Sequence, residues 1–346
     1  GTITATFTVN PIAPSLVISS PTATDFSFTQ NSFSQVGQSL TVQSVNVDGY
    51  FVSSIVKISE DGTKMAVGGI GGNNKGIVRM YSLTSGTWTQ IGGDILGTYG
   101  GGYAGMGFSK GAGNHAISIS ADGTILTTAE TGISDPYTTR VINVFKYDAS
   151  KTVAQNNSSL TNYGPVNWSR MTTFPVTATF NYSATAIISA DGKTIAVSDG
   201  TLRMYRSDDN GVTWTQRGSS ITDPANGTRQ NNQGFSNAIS ISSNGLTVLI
   251  AGNPMYSGGV SAQFLSYDWD GTNWNSSLVR EFSWGVTISN AISSDASTCL
   301  VTISNNSYNN GNIYRYSRVG LGSWTLINNM SIPYWFYSVS ISNNAK

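Results

Sequence analysis

The chain has 346 residues, only 10% of them charged, with 18 basic and 18 acidic side chains that cancel to a net charge of zero. That balance excludes an electrostatic pull toward nucleic acid or an anionic membrane. One cysteine, Cys299, excludes an internal disulfide, and one histidine, His115, excludes a multi-histidine or Cys/His metal site, so no metal and no cofactor is expected.

No apolar run approaches the roughly 18 residues of a membrane span, and no membrane insertion is expected. The opening Gly1, with Ser, Thr, Asn and Gly abundant, suggests a piece of a larger polypeptide with an extracellular, virion-surface or cell-surface location. Sequons such as Asn167, Asn181, Asn226 and Asn275 are no more frequent than this composition produces by chance.

In chain order, strand-like stretches open the sequence at 2–9, 15–20 and 33–40, and a repeated unit then begins at Ser54. Its first strand alternates Ile with small residues and ends on a Ser-x-Asp-Gly-like turn. Copies stand at Ser54–Gly62, Ala116–Gly123, Ala184–Gly192, Ala238–Gly245, Ala291–Asp295 and Ser338–Asn344. The recurring Asp61, Asp122 and Asp191 read as turn formers that hydrogen-bond their own backbone. A third strand ends each copy on tyrosine, as in Val78–Tyr81, Val144–Tyr147, Leu202–Tyr205, Phe264–Tyr267 and Ile313–Tyr316. A tryptophan then opens the fourth strand at Trp88, Trp214, Trp274 and Trp324, with Trp168 displaced by an insertion. Recurrence in phase marks these rings as packing between sheets, and Cys299 reads as a small buried apolar residue.

The shortest copy, Ala184–Ile221, has four strand-length segments separated by Gly, Asp or Asn, which predicts four antiparallel strands. The last copy stops after its first strand, and Phe33–Leu40 aligns with the fourth strand Trp214–Ile221. The expectation is all-β: a single six-bladed β-propeller of four-stranded antiparallel blades, its ring closed by N-terminal strands pairing with the C-terminal strand. The blades run approximately over 54–97, 116–173, 184–221, 238–282 and 290–332, and the sixth over 338–346 plus 1–40.

The succession S-x-D-G, apolar-Ala-Val-Gly, G-x-V-R-M-Y and W-T-Q-x-G-x-x-I, at 59–95 and 189–221, resembles the FG-GAP-like and integrin-α-like propeller repeats of algal, marine bacterial and giant-virus surface proteins. Ser207–Trp214 is similar to the Asp-box hairpin of sialidase-like propellers. Both resemblances imply a fold more than an activity. Integrin-type repeats carry aspartate-rich calcium loops, and the nearest stretch here, Ser266–Gly271, lacks most of the ligands.

With three glutamates, Glu60, Glu130 and Glu281, and aspartates committed to turns, the sequence offers no paired carboxylates for glycoside hydrolysis, and no catalytic residue is assigned. Arg79 and Arg203 share one repeat position but read as blade surface, and the Gly-rich runs 68–76 and 97–113 lack a phosphate-loop signature. Binding is the better expectation. The connections from second to third strand and from fourth to next first strand form one rim, rich in Asn, Ser and Gly. Tyr103, Tyr137, Tyr256, Tyr308 and Trp335 lie there as candidate ligand-binding residues. Flat rings beside neutral amides suit a neutral glycan, so the expectation is a non-enzymatic recognition or adhesion module with a glycan or a cell-surface protein partner; a structural or protein-interaction scaffold, such as a virus-particle component, is the alternative, and a sialidase-like glycoside hydrolase ranks third.

Overall fold

The computed structural model describes residues 35–40, 55–70, 76–96, 117–131, 140–154, 165–175, 185–199, 201–222, 235–252, 262–282, 286–304, 311–332 and 339–341. These form five antiparallel sheets, each a meander in which consecutive strands are neighbours, except that in the first and third sheets the last strand is in two pieces that both pair with the third strand. The first holds β1 (Ile55–Ile58), β2 (Lys64–Ile70), β3 (Gly76–Thr84), β4 (Thr87–Gln90) and β5 (Ile95–Leu96). The second holds β6 (Ile117–Ile119), β7 (Ile125–Thr131), β8 (Arg140–Tyr147) and β9 (Trp168–Pro175). The third comprises β10 (Thr185–Ile188), β11 (Thr194–Ser198), β12 (Thr201–Arg206), β13 (Thr215–Gln216) and β14 (Ile221–Thr222). The fourth is β15 (Phe235–Ile241), β16 (Thr247–Gly252), β17 (Ala262–Trp269) and β18 (Trp274–Phe282). The fifth is β19 (Val286–Ile292), β20 (Thr298–Ser304), β21 (Gly311–Ser317) and β22 (Thr325–Ile332). Among the described residues no helix is long and apolar enough to cross a membrane.

The turn between first and second strand is built the same way in every sheet. The Ser59 hydroxyl donates to Asp61 Oδ1 at 2.6 Å and accepts the Lys64 N–H at 2.8 Å, while the Thr63 N–H donates to the same carboxylate at 2.9 Å. The sets Ser120/Asp122, Ser189/Asp191, Ser242/Asn244 and Ser293/Asp295 repeat this arrangement. The aspartates are turn formers, as their recurrence implied. The fourth turn residue takes a left-handed conformation, and four copies supply glycine there while the fifth supplies Ala296 at φ 60°. A Cβ in that region costs about 1–2 kcal/mol, partly offset by the greater freedom glycine gives the unfolded chain. Ala296→Gly is therefore expected to raise the unfolding free energy by about 0.5–1 kcal/mol, read as a higher urea midpoint at unchanged slope.

Main-chain hydrogen bonds join these turns into a belt. The Glu60 N–H donates to Ala121 O, Ala121 N–H to Ala190 O, Asp191 N–H to Ser243 O and Ser243 N–H to Ser294 O, at 2.9–3.1 Å. The first strands succeed one another in the same order, β1 beside β6, β6 beside β10, β10 beside β15 and β15 beside β19.

The apolar core lies between sheets. Ala66, Val78 and Met80 of the first sheet pack against Ile117, Leu126, Phe145 and Trp168 of the second. Val144 and Phe174 of the second meet Ile195, Val197, Tyr205 and Trp214 of the third. Leu202 and Met204 of the third meet Val248, Leu265, Tyr267 and Trp274 of the fourth, and Leu249 and Phe264 of the fourth meet Cys299, Val301, Tyr316 and Trp324 of the fifth. The repeating tyrosines and tryptophans thus serve packing between sheets. Cys299 is fully buried, and burial pushes its thiol far up, so it stays protonated.

Two expectations are corrected. Pairing of Leu126 with Phe145 matches Met65 with Tyr81 and Ile195 with Tyr205, so Phe145 and not Tyr147 occupies the tyrosine position of the second sheet. Tyr147 instead stands edge-on to Trp168, ring centroids 5.4 Å apart. The segment Thr213–Ile221 is not one strand but β13 and β14, parted by a loop around Gly218 at φ 74°. The same break separates β4 from β5 at Gly92, φ 75°. Its cause is the next sheet: a Cβ on Gly92 would meet the Trp168 indole at 2.7 Å, and one on Gly218 the Trp274 indole at 3.0 Å. The indole N–H groups of Trp168 and Trp274 donate to Ile91 O and Arg217 O, the residues just before those glycines.

Candidate functional site

The candidate binding residues Tyr103, Tyr137, Tyr256, Tyr308 and Trp335 all lie outside the described residues. Their connections can still be placed by topology. Tyr137, Tyr256 and Tyr308 belong to the connections β7–β8, β16–β17 and β20–β21, Tyr103 to the one between β5 and β6, and Trp335 follows β22. In an antiparallel meander these leave from the sheet end opposite the first-to-second-strand turns. The belt joins those turns along one side, so the strand ends from which these connections leave share the other side.

The acidic groups that could do chemistry are occupied by the scaffold. Asp61 is held at a pKa of about 2, first by the Ser59 hydroxyl and then by the Thr63 N–H. The Ser207–Trp214 hairpin closes on its own aspartate: Ser207 Oγ, Val212 N–H, Thr213 N–H and the Thr213 hydroxyl all donate to Asp209. The Thr213 hydroxyl leads the effects that lower Asp209 to about 2. Asp94 takes a bidentate pair from Arg79, both bonds 2.9 Å, and Asp199 takes Arg203. A carboxylate held ionised this way is a poor general acid at neutral pH. Among the described residues no group of three or more His, Cys, Asp or Glu side chains is placed to hold a metal.

The stretch Ser266–Gly271, the nearest thing in the sequence to a calcium loop, has another use. Asp268 accepts Arg318 Nη1 at 2.6 Å and Nη2 at 2.8 Å, and the Thr247 hydroxyl at 2.6 Å. Arg318 also donates from Nε to Ala296 O at 3.0 Å and lies over Trp324, 4.4 Å from the ring centroid. Its side chain is 0% exposed. Asp270 is turned to the N–H groups of Thr272 and Asn273, both at 2.7 Å. This ion pair rivets the fourth sheet to the fifth. The sequence carried no sign of it, because its partners are 50 residues apart.

Neither a family model nor a curated protein sequence matches the chain. Among solved structures it is similar to a putative 6-phosphogluconolactonase from Bacteroides uniformis, at 12% identity over 84% of this chain and 75% of that one, TM-score 0.52. It is also similar to TolB from Acinetobacter baumannii, at 15% identity over 76% of this chain and 51% of that one, TM-score 0.42. A Niastella koreensis GH74 enzyme is similar at 15% identity over 78% of this chain and 38% of that one, TM-score 0.45. The chain thus spans about half the length of that TolB. These neighbours are β-propeller proteins, and the likeness to the first of them, at such identity, shows the fold alone.

Proposed function

We propose that the chain is a six-bladed propeller acting as a non-enzymatic recognition or adhesion module of a larger extracellular or virion-surface protein, with a neutral glycan bound by its rim loops. The observation that carries this reading is the commitment of the described aspartates to turns, to the Asp209 hairpin and to arginine pairs. Hydrolysis needs carboxylates available to substrate, whereas binding of an uncharged ligand needs only rings, amides and hydroxyls.

Three contacts support closure by a sixth blade. Residues 35–40 sit against the first sheet as a fourth strand would: Trp88 donates its indole N–H to Val36 O, the residue before Gly37, as Trp168 does to Ile91 O. Gln38 exchanges two bonds with the Trp88 backbone, at 2.6 and 2.8 Å. At the other end of the chain the Val339 N–H donates to the Oγ of Ser289 in β19. The pairs Ala66/Met80, Thr127/Val144, Ala196/Met204 and Leu249/Ser266 are fully buried by the sheet that follows. The fifth sheet's equivalent, Leu300/Arg315, is half-buried and exposed, a face suited to one more blade.

A glycan array on the purified chain tests the ligand. Saturable binding, lost in at least one of Tyr103→Ala, Tyr256→Ala and Trp335→Ala with the unfolding midpoint unchanged, is the expected result. Silence across a broad array of neutral glycans overturns it. A protein-binding scaffold is the second reading, favoured by Val319 and Leu321, 93% and 62% exposed at the β21–β22 turn.

A further inference from the structure

Residues 35–40 repeat the local structure of 90–95 and 216–221. In each a glutamine side chain folds back along the chain. Gln35 Nε2 donates to Gly37 O at 2.9 Å and Ser39 Oγ at 3.3 Å, and Gln90 Nε2 to Gly92 O at 3.2 Å and Asp94 Oδ1 at 2.8 Å. Gln216 Nε2 donates to Gly218 O at 3.1 Å and Ser220 Oγ at 3.2 Å. The three glycines are left-handed, at φ 79°, 75° and 74°. The register follows: two residues before each glutamine stand Phe33, Trp88 and Trp214, so Phe33 continues the series of rings that open the fourth strands. Phe33 itself lies outside the described residues.

Five junctions show what such a ring asks of the segment it packs on. The indoles of Trp88, Trp168 and Trp274 donate to Val36 O, Ile91 O and Arg217 O, and the next residue is each time the left-handed glycine. The indoles of Trp214 and Trp324 bond elsewhere, to Gly211 O and Ser266 Oγ. There the preceding outer strands β9 and β18 run unbroken, with Thr172 and Leu278 at the glycine position. The fifth sheet has Asn328 at that position in an unbroken β22, so the same rule calls for a ring that donates no N–H into the strand. Phenylalanine has none to donate.

The fifth sheet also presents the apolar surface that such a ring covers. Val78, Ile142, Leu202 and Phe264 stand three residues before the repeat's aromatic, on the face toward the next sheet, and all four are fully buried. Their counterpart Ile313 is half-buried. Met330, paired with Ile313, is 44% exposed, whereas Ile95, paired with Val78, is 1% exposed. Ile327, at the place of Ile91, is exposed, while Ile91 packs into the cluster that holds Trp168.

We propose that Phe33 seats on this face of the fifth sheet, over Ile313, Ile327 and Met330, so that the segment from Phe33 to Leu40 clasps the fifth sheet to the first. The occupant of the apolar face is this chain's own N-terminal segment, not a partner. The proposal rests on the six-bladed reading and names the contact that completes its ring.

The test is the rate at which a maleimide labels Met330→Cys in the full chain, Cys299 being fully buried. Relative to Val319→Cys at an exposed turn, labelling is expected to be about tenfold slower and independent of protein concentration, and Phe33→Ala is expected to abolish most of that protection. Equal rates at the two positions show an open face and overturn both the proposal and the sixth blade. Protection that Phe33→Ala leaves unchanged overturns the proposal alone, because the ring is then closed by another contact. Protection lost on dilution assigns the face to a second copy of the chain and overturns it too. Should Phe33→Ala fail to fold, Phe33→Cys combined with Ile327→Cys gives a second reading. A short bismaleimide is expected to link the two within one chain, read by mass spectrometry of the linked peptides. Absence of that link, with each cysteine reactive on its own, or a link only between chains, overturns the proposal.

Discussion

Asp268→Ala is expected to lower the unfolding free energy by about 3–5 kcal/mol, measured by urea denaturation. The loss exceeds that of an ordinary hydrogen bond because the change strands a charge. Arg318 would keep its bond to Ala296 O and its place over Trp324, but both terminal nitrogens would lose their carboxylate in a site where the side chain is 0% exposed. Thr247, which also donates to Asp268, would lose that acceptor. The same reasoning fixes the sign of the double variant. Arg318→Met combined with Asp268→Leu removes both charges and both desolvation costs, so it is expected to be more stable than Asp268→Ala alone. A double variant less stable than the single one would show that the pair contributes net stability beyond filling its volume.

Trp168→Ala is the second large effect, again about 3–5 kcal/mol. Trp168 is fully buried, stands edge-on to Tyr147, and donates its indole N–H to Ile91 O at 3.2 Å across the first and second sheets. Alanine removes the apolar contact and leaves a cavity beside Gly92, whose missing side chain is what lets the indole approach. Trp168→Phe keeps most of the ring and loses mainly the bond to Ile91 O, so a cost of about 1–2 kcal/mol is expected. Equal losses in the two variants would contradict the division between packing and hydrogen bonding.

Most of the fold was readable because each sheet is written in local signals. Ser59, Asp61 and Gly62 form one turn within a few residues, and the same three roles recur wherever the motif does. What escaped depended on residues distant in sequence. Tyr147 looks like the repeat's tyrosine because it ends its strand, yet the pairing of Leu126, four residues after Asp122, with Phe145 puts Phe145 in that place, and the second-to-third-strand connections differ too much in length for sequence spacing to reveal it. The break between β13 and β14 comes from a tryptophan of the next sheet, and nothing within Thr213–Ile221 announces it. Asp268 and Arg318 read as ordinary surface charges until folding brings them together. The candidate rim residues, chosen for aromatic character in polar connections, lie outside the described residues.

The belt of turn-to-turn bonds bears on how such a chain changes over generations. Each link is made by backbone N–H and C=O groups, so the side chain at the linking position is not dictated by the link: glutamate at 60, alanine at 121 and 190, aspartate at 191, serine at 243 and 294. A duplicated or exchanged unit brings its own donor and acceptor and joins the row without matching substitutions in its neighbours. Copy number and copy order become heritable variables, and connections on the far side can diversify while the joint stays the same.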